Sequence, residues 1–213
     1  MNLTIKLGLG ASLLFGLPAF LAAAAPVEKI HNSKVRVVEQ TLAPGEALSL
    51  PPENPGVVVY FDDGSVETTP ADAAPRLEAV KRGQAIFEPA GSGALKNAGS
   101  SDLHLVWTEY LGAGNSEMWG RTGLAPHYTL LFENQYGRVY DIRIPAQSYE
   151  PLHTHHDRVV VSLSGAQLEH IMQDGRKEKS SLKTGDIVWR LAATHVGHNL
   201  GQTDLWVIAI EPK

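Results

Sequence analysis

Short apolar runs separated by turn residues dominate the chain after residue 26. These runs predict strands at 35–42, 57–61, 85–87 and 104–110 in the first half, and at 138–144, 158–163, 167–172, 187–190 and 205–211 in the second. Gly, Pro, Asn and Asp lie between the runs at intervals that are typical of β-sandwiches and jelly rolls. Residues 70–80 are compatible with a short helical turn. The pattern as a whole predicts an all-β protein.

The second half repeats the first at a constant separation of 102 residues, as from residue 57 to residue 159. The repeated pieces are Val57-Val-Val with Val159-Val-Val, Lys81-Arg-Gly83 with Lys183-Thr-Gly185, and Asn97-Ala-Gly99 with Asn199-Leu-Gly201. A repeat held in one register indicates two copies of one structural unit. We therefore predict an N-terminal domain at 26–111, a glycine-rich linker at 112–126 and a C-terminal domain at 127–213.

Histidines are concentrated at the start of the strand signal near residue 158. His153 and His155 are two residues apart, so on a strand their imidazoles project from the same face. His195 follows in a second polar stretch. Imidazole nitrogens bind divalent first-row metal ions when they are neutral, so occupancy of such a site is expected to fall near pH 6. The three histidines are candidate metal ligands.

The stretches 151–165 and 183–201 resemble the paired motifs of the cupin superfamily, written G(X)5HXH(X)3-4E(X)6G and G(X)5PXG(X)2H(X)3N. This resemblance implies two tandem cupin-type jelly-roll barrels, also called double-stranded β-helices, in a bicupin-like chain. It also implies that His153, His155 and His195 bind a divalent ion, which would be Fe, Mn, Ni or Zn. Asn199 and Gly201 would close the second motif.

The first motif lacks its glutamate, and two interpretations follow. Counting from Gly165 places Arg158 at that position, where a bulge would turn it inward to bind a substrate carboxylate. Strict alternation from the histidines instead turns Asp157 inward, as an alternative oxygen ligand that favours Fe or Mn. Arg158 inside the site would repel a cation, because its charge is permanent. Because bulges are common beside active sites, Arg158 is slightly favoured.

The first copy has no equivalent histidines. The residues 102 positions before the three candidate ligands are Pro51, Glu53 and Gly93. The N-terminal copy is therefore predicted to be degenerate, and the fold is built there without histidines. Of the other histidines, His156 and His198 are assigned to the rim, and no role is assigned to His31, His104, His127 and His170.

Residues 1–25 have the pattern of a secretory signal peptide, with Lys6, an apolar stretch and an alanine run before Pro26. Periplasmic or secreted localisation is expected, with no membrane attachment after cleavage. The chain has no cysteine, which excludes disulfides and thiolate ligands. The formal net charge of -5 gives no reason to expect nucleic acid as a partner. Exposed strand edges make a homodimer a reasonable expectation.

The functional expectation is an exported cupin that binds a divalent metal ion and a small polar or acidic molecule. If it is an enzyme, a metal-dependent oxygenase, including a dioxygenase-like one, or a lyase or isomerase is expected. The alternative is a non-catalytic cupin that binds a small molecule or a metal. The sequence shows no general base distinct from the ligands, although Glu150 and Tyr149 are close enough to reach a pocket mouth. Whether the protein is catalytic stays open at this point.

Overall fold

A computed structural model describes residues 25–70, 72–117, 119 and 126–213. The predicted signal peptide lies outside the described residues except for Ala25, and the predicted linker is described only in part. Among the described residues, no helix is long and apolar enough to cross a membrane.

The described residues form eighteen β-strands. Nine lie in the N-terminal half: β1 Val27–His31, β2 Val35–Leu42, β3 Ala47–Ser49, β4 Gly56–Tyr60, β5 Gly64–Thr69, β6 Arg76–Val80, β7 Ala85–Glu88, β8 Ala94–Asn97 and β9 Leu103–Tyr110. Nine lie in the C-terminal half: β10 Tyr128–Glu133, β11 Gly137–Ile144, β12 Tyr149–His155, β13 Arg158–Ser164, β14 Gln167–Met172, β15 Lys177–Ser181, β16 Ile187–Arg190, β17 Ala193–Asn199 and β18 Leu205–Pro212.

Each half is a sandwich of two antiparallel sheets. The N-terminal half has a five-stranded sheet in the order β1-β2-β9-β4-β7 and a four-stranded sheet in the order β3-β8-β5-β6. The C-terminal half repeats this arrangement as β10-β11-β18-β13-β16 and β12-β17-β14-β15. A separate apolar core fills the space between the two sheets of each half. The predicted all-β class with two tandem jelly-roll barrels is confirmed.

The sequence repeat is also a repeat of structural roles. The side-chain amide of Asn97 donates to the carbonyls of Leu42 and Ser101 at 2.8 Å, and its oxygen accepts from the amide of Gly99. Asn199 makes the corresponding bonds in the other barrel, including one from the amide of Gly201. The Asn-x-Gly pieces therefore stabilise the framework in both halves.

The two five-stranded sheets pack against each other through their outer faces. Val57 and Val59 share a buried cluster with Val159 and Val161, while the residue between each pair points into its own barrel. Both faces of these strands are thus covered by apolar groups. This explains why the valine runs are continuous and do not alternate with polar residues.

The predicted helical turn within 70–80 is wrong, because part of this segment is strand β6, which pairs with β5. The histidines and the valine run lie on different strands, since β12 ends at His155 and β13 begins at Arg158 in the other sheet. Strand β15 was missed because its sequence, Lys-Glu-Lys-Ser-Ser, is polar and mostly exposed, so it has no apolar periodicity.

Candidate metal centre

The three predicted ligands lie together on two neighbouring strands. Strand β12 pairs antiparallel with β17, and this pairing sets His153 directly opposite His195. His155 lies two residues further along the same inward face. All three side chains are buried, each 4% exposed, and one nitrogen from each ring lies within 4.8 Å of the others. The structure therefore contains a three-histidine group that could hold a metal ion.

Hydrogen bonds orient the rings toward a common point. The Nδ1 atom of His153 is 2.8 Å from the carbonyl of Pro151, so this nitrogen carries the proton and Nε2 is left with its lone pair. The Nε2 atoms of His153 and His155 are 2.9 Å apart. The hydroxyl of Tyr128 is 3.1 Å from Nε2 of His155. The second nitrogen of His155 faces a carboxylate oxygen of Glu211 at 3.9 Å.

Burial keeps these imidazoles neutral. It lowers the pKa of His153 and of His155, and it lowers the pKa of His195 to about 3, with smaller contributions from neighbouring charges. Metal ligation requires neutral imidazole, and here neutrality extends well below pH 6. The expectation that occupancy falls near pH 6 assumed exposed histidines, so it does not apply to this buried group.

Arg158 reaches the cavity and Asp157 does not. The chain crosses between sheets at His156–Asp157, so the strict alternation that would have turned Asp157 inward ends at His155. Arg158 is 8% exposed and lines the cavity beside the histidines. Asp157 accepts a hydrogen bond from the amide of Ala192 at 2.8 Å and pairs with Lys34 of the other half at 3.4 Å. These contacts hold Asp157 outside the histidine group, which corrects its interpretation as an alternative ligand.

A cavity of about 70 Å³ lies inside the C-terminal barrel next to the histidines. Its apolar wall is formed by side chains that include Ile142, Val160, Leu168 and Val207. Its polar wall includes Tyr128, Glu150, Arg158, His170, Arg190 and His195. His198 also lines it and stacks on Tyr149 at the rim, with ring centroids 3.7 Å apart.

Sequence reasoning missed three of the polar residues that line the cavity. Tyr128 lies on the edge strand β10, far from the motifs, and His170 lies on β14 with its ring 4.4 Å from that of His195. Arg190 lies opposite Arg158 in the β13–β16 register. The register of His170 opposite Gly197 brings it to the site, and this pairing between distant segments has no local signal in the sequence.

Glu150 is buried inside the cavity, deeper than the pocket mouth suggested for it. The register between β12 and β17 shifts between Glu150 and His153, and this bulge puts residues three apart on the same inward face. Glu150 is 3% exposed, and burial raises its pKa to about 7, although Arg158 lowers it. A Cβ atom on Gly197 would lie 2.5 Å from the carboxylate oxygen Oε2, so glycine is needed there to make room.

Comparison with known proteins reveals similarity in fold. No family model matches the sequence, and no curated protein matches it. A cupin 2 conserved barrel domain protein from Leptotrichia buccalis aligns with a TM-score of 0.59 at 12% identity, over 91% of this chain and 91% of that chain. The chain has the cupin fold.

Two further solved structures extend the comparison. An oxalate decarboxylase of Bacillus subtilis aligns with a TM-score of 0.57 at 13% identity, over 84% of this chain and 69% of that chain. AerE from Microcystis aeruginosa aligns with a TM-score of 0.55 at 16% identity, over 88% of this chain and 97% of that chain. Identities this low establish a two-barrel cupin architecture and no particular activity.

The N-terminal cupin barrel is filled where the C-terminal barrel is hollow. Trp107 is fully buried in the first core, and the residue at the same strand position in the second barrel is Ala209. The strand that faces the tryptophan begins with Gly56, where any Cβ would collide with the indole ring. The corresponding residue in the second barrel is Arg158. One barrel therefore combines a large ring with a glycine, and the other combines an alanine with a long arginine.

A second exchange involves Glu150. In the N-terminal barrel the register pairs Leu48 with Leu95, and both are buried in its core. At the same register position the C-terminal barrel pairs Glu150 with Gly197. The two leucines of the first barrel are thus replaced by a carboxyl side chain and by a glycine that leaves room for it. The same framework forms with or without the polar cavity, so the fold does not require the cavity residues.

Glu211 belongs to the shared framework of both barrels. It pairs with Arg138 at 3.0 Å, and the corresponding residues of the first barrel, Arg36 and Glu109, pair at 3.5 Å. Because the first barrel has no histidine group, this ion pair has a structural role in both halves. Its ion pair with Arg138 holds the Glu211 carboxylate in place, and this fixed carboxylate helps to orient the ring of His155.

Proposed function

We propose that the C-terminal barrel binds one divalent transition-metal ion through His153, His155 and His195, and holds a small acidic molecule with Arg158. The observation that carries this proposal is the convergence of three buried, neutral imidazoles beside a polar cavity. A group of this kind is a common way for a protein to bind a first-row metal while leaving positions for a substrate.

The histidine group fits a divalent first-row ion. One nitrogen of each ring lies within 4.8 Å of the others, and the Nε2 atoms of His153 and His155 are 2.9 Å apart. The ion that we propose is Mn, Fe, Ni or Zn. The oxalate decarboxylase of Bacillus subtilis, which has the same fold, has Mn(II) centres.

The charge of the site favours an acidic ligand. Arg158 and Arg190 line the cavity, and neither forms an ion pair within 4.0 Å in the part of the chain that the structure describes. Arg158 instead donates to the carbonyls of His156 and Leu191, at 3.3 and 3.5 Å. A buried guanidinium beside a bound cation needs a negative partner. A substrate carboxylate supplies that charge and fits the guanidinium bidentately.

If the protein is an enzyme, we propose a metal-dependent oxygenase, dioxygenase-like chemistry included, or a lyase or isomerase. A bound ion would act as a Lewis acid towards an oxygen atom of the substrate. The protein would contribute the Tyr128 hydroxyl, which stays protonated because burial raises the pKa of Tyr128 well above its ordinary value. Glu150 would supply the carboxyl group, distinct from the three ligands, that proton transfer requires.

We also propose that the protein works outside the cytoplasm, in the periplasm or as a secreted protein. This rests on the signal-peptide pattern of residues 1–25. Fractionation of cells that express the full chain should place a shortened protein outside the cytoplasm. Retention of the full-length chain in the cytoplasm would contradict this proposal.

Metal analysis tests the main proposal directly. Protein purified without added metal, or loaded with Mn(II) or Fe(II) and desalted, should contain close to one ion per chain. His153→Ala and His195→Ala should each lower this strongly. His156→Ala is the matched control, because its ring stacks on Trp119 at 3.9 Å and is not part of the group. Low metal content in the loaded wild-type protein would refute metal binding.

A further inference from the structure

Two opposite charges are buried in one cavity without meeting. Glu150 is 3% exposed and Arg158 is 8% exposed, and both line the space beside the histidines. No ion pair within 4.0 Å joins them, whereas Arg138 and Glu211 of the same barrel pair at 3.0 Å. Burying a charge without a partner is costly. The cavity therefore presents a guanidinium and a carboxyl group that do not pair with each other, and the carboxyl oxygen Oε2 lies 4.0 Å from Nε2 of His153.

Contacts on each side hold the two groups apart. The guanidinium of Arg158 is held by backbone carbonyls of His156 and Leu191. The carboxyl oxygen Oε1 of Glu150 has no hydrogen-bond partner among the described residues, and Oε2 lies against Gly197 and 4.0 Å from Nε2 of His153. The arginine is thus anchored near the turn between β12 and β13, and the carboxylate is accommodated by a glycine on β17.

The first barrel shows that these charges are not demanded by the fold. Gly56 occupies the position of Arg158, and Leu48 occupies the position of Glu150. That barrel forms a closed apolar core. Glu150, Arg158 and the space between them are therefore features of the C-terminal cavity and are not required by the fold.

We propose that the ligand is a small molecule with a carboxylate at one end and an amine or hydroxyl donor at the other, that is, a short amino acid or hydroxy acid. Its carboxylate binds Arg158, and its donor binds Glu150. A dicarboxylate fits this arrangement less well, because its second carboxylate would lie beside the carboxylate of Glu150. This inference rests on the acidic ligand of the proposed function and does not depend on the metal.

The surroundings agree with this polarity. Arg190 lies opposite Arg158 and adds positive charge at the carboxylate end of the cavity. The volume of about 70 Å³ corresponds to the space of about five water molecules, which limits the ligand to a short chain. Aliphatic side chains form about half of the remaining wall, and the rest includes Tyr128, His155, His170, His195 and His198.

A charge-matched panel tests the proposal by calorimetry on the purified protein at pH 8, above the pKa of Glu150, in metal-loaded and chelator-stripped forms. The panel contains two amino acids, glycine and alanine, and two hydroxy acids, glycolate and lactate. It also contains two plain acids, acetate and propionate, and two dicarboxylates, malonate and succinate. At least one amino or hydroxy acid should bind ten times more tightly than the plain acid of the same length. Malonate and succinate should bind at least ten times more weakly than that ligand. Comparison of the two amino acids with the two hydroxy acids tells whether the donor group of the ligand is an amine or a hydroxyl.

Variants assign the selectivity to the two charges. Arg158→Gln should abolish binding of every acid, while Glu150→Gln should remove the tenfold preference and let the dicarboxylates bind. Gly197→Ala should act like Glu150→Gln, because the new methyl group displaces the carboxylate. Glu169→Gln is the matched control, a buried carboxylate of the next strand that pairs with Lys177 at 3.2 Å and does not line the cavity.

Three results would overturn the inference. They are dicarboxylate binding to the wild-type protein as tight as that of the amino and hydroxy acids, an unchanged ranking in a folded Glu150→Gln variant, and no binding of any compound. A cooperative thermal unfolding transition establishes that each variant is folded. Failure of the metal proposal shows separately as a low metal content, and the charge selectivity should persist in the stripped protein in that case.

Discussion

The buried carboxyl of Glu150 should give the protein a measurable stability cost at alkaline pH. Its pKa is about 7 in the folded protein and 4.5 when unperturbed, mainly because burial penalises the ionised form. Between these two values only the folded state holds the proton, so stability falls as the pH rises through this window. Above pH 7 both states are ionised, and the full cost is present.

The size of the effect follows from the two pKa values. One pH unit is worth about 1.4 kcal/mol, so the interval from 4.5 to about 7 corresponds to roughly 3 kcal/mol. Glu150→Gln removes the titrating group without changing the shape of the side chain. The free energy of unfolding of the variant, minus that of the wild type, should therefore rise from pH 4.5 to pH 7 and stay level above pH 7. A constant offset from burying the amide does not alter this slope.

Urea unfolding of chelator-stripped protein, followed by tryptophan fluorescence from pH 5 to pH 8, measures this difference. Groups that titrate in both proteins, the histidines included, largely cancel in the subtraction. Glu169→Gln serves as the control for the loss of a buried carboxylate that does not line the cavity. A difference between Glu150→Gln and the wild type that is flat with pH would refute the argument that burial penalises the ionised form of Glu150.

Three further outcomes are expected. Metal loaded at pH 7 should be retained after dialysis at pH 5, because burial keeps His153, His155 and His195 neutral there, and metal analysis that finds loss near pH 6 would contradict this. Trp107→Ala should lower the free energy of unfolding by about 3 to 5 kcal/mol through the void left in the N-terminal core, with an unchanged metal content. Asp157→Asn should leave the metal content unchanged and cost at most about 1 kcal/mol, since its ion pair with the other half is partly exposed; a large loss of metal would return this residue to the site.

The periodic elements were predictable from the chain alone. Strands such as 35–42 and 187–190 were predicted with their observed bounds. Their apolar side chains are buried by sheet packing, and this burial is visible in the sequence as a local pattern of apolar residues. The repeat predicted two barrels for a similar reason, since equivalent strands need equivalent core residues. The three histidines followed from strand alternation together with the resemblance of the motifs.

Other strands carry too little signal. The three-residue strand β3 pairs with β8, which is distant in the chain, and the polar edge strand β15 pairs with β14 across a short hairpin. The residues of both strands bury little apolar surface. Propensity and periodicity describe only neighbours along the chain, so long-range pairing such as that of β3 leaves no pattern in them.

The choice between Arg158 and Asp157 shows where tertiary structure takes over. The residues after His155 were compatible with continued alternation or with a bulge, and the actual outcome is a crossing from one sheet to the other. The bulge that does occur lies before His153, and it carries Glu150 into the cavity. Composition and order in the chain determined an all-β protein with two barrels and a cluster of histidines. Only packing across the sheets decided which charges entered the second barrel, because that depends on the space left by glycine and alanine on strands remote in sequence.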